Sequence, residues 1–421
     1  MAGVRRYGHM LTPQPHWWKA WRMTSSGWPA DPALHLLVLA DDRTGALETA
    51  GICADAGWGP VPVVVGGPPP SDAAVAVVDL ASRHLDRLGA SRRITLADPG
   101  SARRVAHKID STLRGNWAAE LVALQRFRGQ RVVLVAAFPE VGRTCRNGVV
   151  LEHGRPVAEG AAGADARSGV WSSRPAEHLR RAGALHAHEV DQVSEVSEVS
   201  EVSDAEGLAA WLGSGSGRFA VCDARTDTDL EALAQVWSVT DDVLFAGTAR
   251  SIGAAAAALR GALPALPPST TRPPLATIRP PLSTPAMVVC GSLHPVARRQ
   301  IAAIAGAPIA GRVTVLATPL PDVVPVSAEE ARRASEALAE RFHRLTTTLV
   351  SSPMSALATV VIIGGDTAAA LLGDATVRVG GTVAAGVPWI RMDDGRLFVT
   401  RAGGFGTDTS LVELFTAGMD T

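Results

Sequence analysis

Lysine is nearly absent from this chain of 421 residues, which holds only Lys19 and Lys108. Neither follows a glycine, so the G-x-x-x-x-G-K-[ST] phosphate loop is excluded. Cysteine is also scarce: Cys53, Cys145, Cys222 and Cys290 are widely separated and form no C-x-x-C pair. That spacing argues against a structural zinc site or a disulfide framework and leaves a reduced, cytoplasmic setting as the default. No sign of charge dominates, with 40 Lys and Arg against 41 Asp and Glu, which disfavours nucleic acid or an anionic membrane as a partner. No apolar run approaches the ~18 residues of a membrane span. G-x-S-x-G and H-E-x-x-H are missing too, which removes the nucleophile elbow and the simplest metalloprotease signature.

What is present is alternation. Short apolar runs at Leu34–Ala40, Val61–Val65, Ala74–Leu80, Arg131–Ala137, Phe219–Cys222 and Val243–Ala246 are separated by helix-like segments, the pattern of a mainly parallel sheet covered on both faces. Prolines crowd the stretch from Ala262 to Pro285 and favour a stiff extended connector. Beyond it strands are expected at Met287–Cys290, Val313–Ala317 and Val360–Ile363, with helices at Val296–Ile304 and Glu329–Leu349. The fold class is therefore two α/β domains with mainly parallel sheets, 34–262 and 286–421, joined by a Pro-rich linker over 263–285. Residues 1–33, rich in Trp and Arg, are expected to be a poorly ordered extension, with a start near Met23 as the alternative. The Val-Ser-Glu repeat, about 191–203, fits neither a helical nor a strand period over its short length and is expected to be a surface loop.

Polar clusters fall where strands end, the place at which open α/β sheets bind ligands. Asp41-Asp42-Arg43-Thr44-Gly45 follows the first strand, and Lys108, Asp110, Ser111, Thr112 and Arg114 crowd seven residues. Cations, a carboxylate and hydroxyls so close together suit a ligand bearing a carboxylate and hydroxyls. The alternative for this second cluster is helix capping by Asp110 or Ser111. In a chain that otherwise uses arginine, a lysine at 108 favours the ligand. In the second domain Gly291-Ser292, Gly364-Gly365-Asp366-Thr367 and Gly403-Gly404-Phe405-Gly406 follow strands, and glycine lets backbone N–H groups approach phosphate oxygens. The run Gly213-Ser214-Gly215-Ser216-Gly217 follows a helix and precedes a strand, the reverse of a dinucleotide loop, and reads as a turn.

Taken in order, ADDRTGALETAG from Ala40, Ser82-Arg83, KIDSTLRGN from Lys108, AFPEVGRTCRNGVVLEHGRP from Ala137, CGSLHPVARRQI from Cys290, GGDT from Gly364 and RAGGFG from Arg401 resemble the four-carbon acid sugar kinase family. Its members phosphorylate tetronates and 3-oxo-tetronates. The resemblance implies a sugar-acid domain followed by an ATP domain, with the active site in the cleft between them and ATP and Mg²⁺ as cofactors. It places Asp41, Asp42, Arg83, Lys108, Asp110, Ser111, Thr112, Arg114 and Arg143 on the substrate side, and Ser292, Gly364, Gly365, Asp366, Thr367, Gly403 and Gly404 on the nucleotide side. The chain departs from the family at Leu47, Glu48, Asp366, His294 and Arg401, where Asn, Asp, Glu, Ser and Lys are usual.

Phosphoryl transfer requires two substrates held in line and charge neutralised. On this reading Arg83, Lys108 and Arg114 hold the acid, while Asp42 or Asp110 takes the proton of the attacking hydroxyl. The expected partners are a small sugar acid and ATP; a homodimer is compatible with this. The rival from another class is a sugar-acid or nucleotide-binding regulator without turnover, suggested by Leu47, Glu48 and His294. An NAD-dependent dehydrogenase is disfavoured by the missing glycine fingerprint.

Overall fold

The computed structural model describes residues 34–98, 102–165, 168–189, 199–263, 279–319 and 357–417, with parts of 329–344. The residues 1–33, most of the proline-rich connector, the repeat up to residue 198 and much of the helix expected over Glu329–Leu349 lie outside the described residues. In chain order the strands are β1 (Leu36–Ala40), β2 (Val61–Val65), β3 (Val75–Asp79), β4 (Val105–Lys108), β5 (Arg131–Val135), β6 (Arg143–Arg146), β7 (Val149–Glu152), β8 (Arg155–Pro156), β9 (Val199–Val202), β10 (Phe219–Cys222) and β11 (Val243–Gly247). The second half continues with β12 (Ala286–Cys290), β13 (Val313–Ala317), β14 (Thr359–Ile363), β15 (Val377–Ala384), β16 (Val387–Arg391) and β17 (Leu397–Arg401).

Both halves are α/β with mainly parallel strands, and hydrogen bonding joins them into one 14-stranded sheet ordered β13-β12-β14-β17-β16-β15-β2-β3-β1-β4-β11-β5-β10-β9. The join is the antiparallel pairing of β15 with β2, Val377 opposite Val63 and Val379 opposite Val61. The β15–β16 pair is antiparallel, as is β16–β17, so β17, β14, β12 and β13 run opposite to the parallel strands of the first half. In a flat sheet the carboxyl ends of the two sets would lie on opposite edges. Six steps separate β14 from β1, and a twist of roughly 20–25° per step accumulates to about 120–150°. That rotation turns the two sets of carboxyl ends toward each other.

Apolar strands buried on both faces need cover on both faces, and helices supply it. The helix Arg43–Cys53 is buried along its whole length because it lies between the helix Ala249–Ala262 and the β15–β16 pair. Glycines allow the approach: a Cβ at Gly253 would stand 2.1 Å from Ile52 Cγ2, and one at Gly51 would stand 2.9 Å from Pro388 Cβ. Further ties cross the two halves. The Thr382 hydroxyl donates to Asp55 Oδ2 at 2.6 Å, and Arg378 Nη2 pairs with Asp72 at 2.8 Å.

The expected surface loop at 191–203 is corrected at its end, because Val199–Val202 pairs with β10 as the edge strand. A three-residue period sends successive valines to opposite faces of a strand. Val199 accordingly joins one hydrophobic layer and Val202 the other, which suits an edge strand covered on both sides. The antiparallel β6-β7-β8 sheet, β15 and β16 were not among the expected strands; β6–β8 stand apart as a small sheet of their own.

Candidate active site

The chain passes through β1, moves outward to β2, returns to β3 and then places β4 on the other side of β1. A crevice opens at such a reversal, outside the carboxyl ends of the strands. Asp41 and Asp42 follow β1, Lys108 ends β4 and Arg83 follows β3 by four residues. Asp42 caps the helix Arg43–Cys53 by accepting from Gly45 N at 3.0 Å. Arg83 gathers the carboxylates: Nε and Nη2 donate to the two oxygens of fully buried Asp41 at 2.8 and 2.9 Å, Nη1 donates to Asp42 Oδ2 at 2.9 Å, and Asp110 Oδ1 lies 3.4 Å from Nη2. Burial nevertheless pushes the Asp41 carboxyl up, against the pull of Arg83.

Asp110 is more fully engaged. Its Oδ2 accepts from Thr112 N at 3.0 Å, Thr112 Oγ1 at 2.5 Å and Arg114 Nε at 3.1 Å, while Oδ1 accepts from Arg114 Nη2 at 2.9 Å. Burial alone would raise this carboxyl; Arg114, Arg83 and the hydrogen bonds outweigh it and hold it well below the usual carboxylate range. Such a group is an anchor and a poor proton acceptor, which weighs against Asp110 as the base. Arg83 is likewise matched against three carboxylates and serves as the hub that holds them. Lys108 differs. Its ammonium donates to Ile109 O at 2.8 Å, and two of its three N–H bonds remain for other partners. A Cβ at Gly45 would stand 2.7 Å from both Lys108 Nζ and Asp42 Oδ1, so the ammonium sits over the start of the helix. Arg143 donates from Nη1 to the Ser111 hydroxyl and from Nη2 to Glu152 Oε1 at 2.7 Å.

The second half repeats the arrangement, with β13 on one side of β12 and β14 on the other. Ser292 follows β12, Gly364 follows β14 and Gly403-Gly404 follow β17. Gly364 has φ +112°, a conformation side chains resist, and leads into the helix Gly365–Leu372, whose first turn carries Asp366 and buried Thr367. Gly403 and Gly404 do not have positive φ; they are close-approach positions. A Cβ on Gly403 would stand 2.0 Å from Ser292 Oγ, and one on Gly404 3.3 Å from His294 Nε2. His294 caps the helix Pro295–Ile304, its Nδ1 accepting from Val296 N at 3.2 Å. Arg401, almost fully buried, donates from Nη2 to Phe405 O and holds the glycine turn from beneath; burial lowers its pKa to about 10.

The two sets meet. A Cβ at Gly365 would stand 2.8 Å from Thr44 Oγ1 and 3.4 Å from Asp42 Oδ2, so the Gly364-Gly365 turn abuts the ADDRTG turn. Arg43, paired with Asp79 at 2.7 Å, also donates to Gly373 O at the far end of the helix Gly365–Leu372. Arg143 lies 5.1 Å from the centre of the Phe405 ring. A cavity of about 390 Å³ lined by Pro281, Leu357, Thr359, Arg391 and Arg396 lies at the amino ends of β14 and β17 and is remote from this junction.

Among the departures, Leu47 is fully buried in the main hydrophobic layer. Glu48 was noted in the sequence only as a departure. The structure buries it at the junction, with Oε1 lacking a hydrogen-bond partner. Phe405 and Glu152 were also not singled out, because their importance comes from contacts with residues distant in the chain.

A model described as a sugar-binding N-terminal domain matches residues 36–256, just over half the chain, and one described as a nucleotide-binding C-terminal domain matches 312–411. A D-threonate kinase of Cupriavidus necator is 30% identical over 281 residues, covering 64% of this chain and 63% of that protein, so the match spans less than two thirds of the relative's length. A D-threonate kinase of Bordetella bronchiseptica is 29% identical over 427 residues, covering 89% of this chain and 95% of that protein. The fold is shared with a Haemophilus influenzae protein of known crystal structure at a TM-score of 0.60 and 17% identity, over 91% of this chain and 100% of that one. With both domain models matched in order and both sets of motif residues gathered at one junction, the chain belongs to the four-carbon acid sugar kinase family.

Proposed function

We propose that the protein is an ATP-dependent kinase that phosphorylates a hydroxyl of a four-carbon sugar acid, with D-threonate the first substrate to test. The observation that carries this reading is the apposition of Gly365 with Thr44 and Asp42, which brings a phosphate-type glycine turn against a cluster of buried charges. In-line phosphoryl transfer needs that geometry: two substrates held end to end, with the acceptor hydroxyl facing the γ-phosphate.

On the acid side, Lys108 has N–H bonds to spare and Arg114 is one third exposed; these two meet the carboxylate and neighbouring hydroxyls. Asp110, Thr112 and Ser111 fix the cations in place. On the other side, the glycines at 364, 403 and 404 pack closely around Ser292 and His294 beside the start of the helix Gly365–Leu372, a surface of backbone and one hydroxyl that suits phosphate oxygens. Mg²⁺ bound with the nucleotide would supply charge neutralisation of the phosphates. Among the described residues no group of three or more His, Cys, Asp or Glu is placed to hold a metal alone, and the phosphates supply oxygen ligands. The domain limits follow the same division, 34–262 for the acid and 286–421 for the nucleotide.

The test is ADP release with D-threonate, its stereoisomers and the 3-oxo acids. ATP-dependent turnover of at least one of them is expected. Nucleotide binding without turnover of any would favour the regulatory reading.

A further inference from the structure

Among the described residues, Glu48 is the one carboxylate at the junction with a fully buried oxygen that lacks a hydrogen-bond partner. It lies on the helix Arg43–Cys53 one turn beyond Thr44 and Gly45, and residues three and four apart share a helix face. That face carries Thr44, which abuts Gly365, and Gly45, which abuts Lys108 Nζ. From the other half of the chain, a Cβ at Gly386 would stand 3.0 Å from Glu48 Oε1 and 2.6 Å from the Phe405 ring, and Arg143 approaches that same ring. Glu48 Oε1 is thus enclosed by both halves at the place where they meet, and its side chain is 95% buried.

An unpaired oxygen in such a place is costly unless something brings it a proton or a donor. The charged groups facing it are Asp42 on its own helix, Lys108 at the end of β4, Asp110 in the following loop and Arg143 on β6. From the helix Ala249–Ala262, Arg250 pairs with Asp227 instead. Asp55, beyond the helix end, is held by Thr382, and Arg401 is turned to the Phe405 carbonyl. Asp110 is saturated by Arg114 and Thr112, and Asp42 is held by Gly45 N and Arg83.

We infer that Glu48 is the catalytic base of the transfer, taking the acceptor hydroxyl's proton on Oε1; this rests on the kinase reading. As the proton moves to Oε1, the hydroxyl oxygen forms its bond to the γ-phosphorus, the bond from that phosphorus to the β,γ-bridging oxygen breaks, and ADP leaves with the electron pair. Burial supports the role by pushing the Glu48 carboxyl up to about 7, against the pull of Lys108, where a base is best matched to neutral pH.

The experiment measures ADP release with D-threonate from about pH 5.5 to 9 for the wild type, Glu48→Gln and Glu48→Asp, beside thermal melts of each. For the wild type, kcat/KM is expected to fall about tenfold per unit below about pH 7. Glu48→Gln is expected to lower kcat at least ~100-fold with both KM values within about threefold, and to lose the acidic limb; Glu48→Asp keeps the limb at a reduced rate. Glu48→Gln should also melt no lower than the wild type above pH 7. A carboxyl raised above its unfolded value contributes stability that is complete below the unfolded pKa and lost as pH climbs through the folded one, and the amide is free of that loss. An unchanged kcat, a retained acidic limb, or a lower melting temperature in Glu48→Gln would each overturn the assignment. Failure of the kinase reading looks different: the wild type itself would turn over no four-carbon acid, and the role of Glu48 would fall with it.

Discussion

On the sugar-acid side of the cleft Arg83 is ringed by Asp41, Asp42 and Asp110, and Arg114 adds a second cation. On the side proposed for the nucleotide the surface includes Gly364, Gly365, Gly403, Gly404 and Ser292, backbone and one hydroxyl. The first side is a network of buried charges, each dependent on its neighbours; the second is glycine backbone in close approach to Ser292, His294 and Thr44. A charge network loses stability when one member is removed, because the others remain buried without a partner. A glycine cradle loses fit when an atom is added, with the fold touched only where the backbone itself is unusual.

The sharpest way to break this contrast is Arg83→Ala. It leaves three carboxylates without their shared cation, one of them fully buried, and is expected to cost about 3–5 kcal/mol of stability together with turnover. Urea unfolding midpoints measure it, and a variant as stable as the wild type would show that the network is not cooperative.

Lys108→Met removes a cation that holds little else, since its one hydrogen bond is to Ile109 O. Turnover should drop roughly 10²–10³-fold, as for loss of one preorganised donor, with the melting temperature nearly kept. Full activity would return the KIDSTLRGN cluster to a capping role.

Asp110→Asn tests the same network by pH. A carboxyl held below its unfolded value of 3.8 contributes stability above that pH and loses it as pH falls through the folded pKa. The stability gap between wild type and variant should therefore be about 1–3 kcal/mol near neutrality and shrink in acid. A gap independent of pH would assign the loss to packing.

For the cradle, Gly403→Ala meets Ser292 Oγ and should raise the KM for ATP roughly tenfold, about 1.4 kcal/mol, while the KM for the acid changes little. Gly364→Ala is the sharpening control: φ +112° makes it strained, so it should lower the melting temperature and affect both substrates alike. Equal behaviour of the two variants would erase the distinction between close approach and conformation.

The smallest effect is expected from the Val-Ser-Glu repeat. Shortening residues 190–198 should change stability by only ~0.6 kcal/mol per doubling or halving of loop length. Deleting Val199–Val202 also strips an edge strand and should cost several times more in a chemical melt.

Most parallel strands were legible because fully apolar runs between turn signals have few alternatives in a chain of this length, as at Val61–Val65 and Phe219–Cys222. The site motifs were legible because ligand residues of an α/β sheet cluster directly after strands. The residues Glu48, Phe405 and Glu152 were not: a lone Glu in a helical stretch carries no local mark, and its missing partner is visible only once burial is known. The β15–β16 pair was missed because Val377–Ala384 includes Gly380 and Gly381, which weaken a strand pattern, and Gly380 is there to admit the Trp389 ring.

Taken alone, the sequence determined that the chain is α/β, where its strands end, and which charges and glycines gather there, since these follow from local periodicity and spacing. Only the tertiary structure decided that two oppositely directed sets of parallel strands share one sheet, and that its twist brings their carboxyl ends together. Pairing of β2 with β15 and the accumulated rotation are long-range consequences of packing, and it is they that set Gly365 against Thr44.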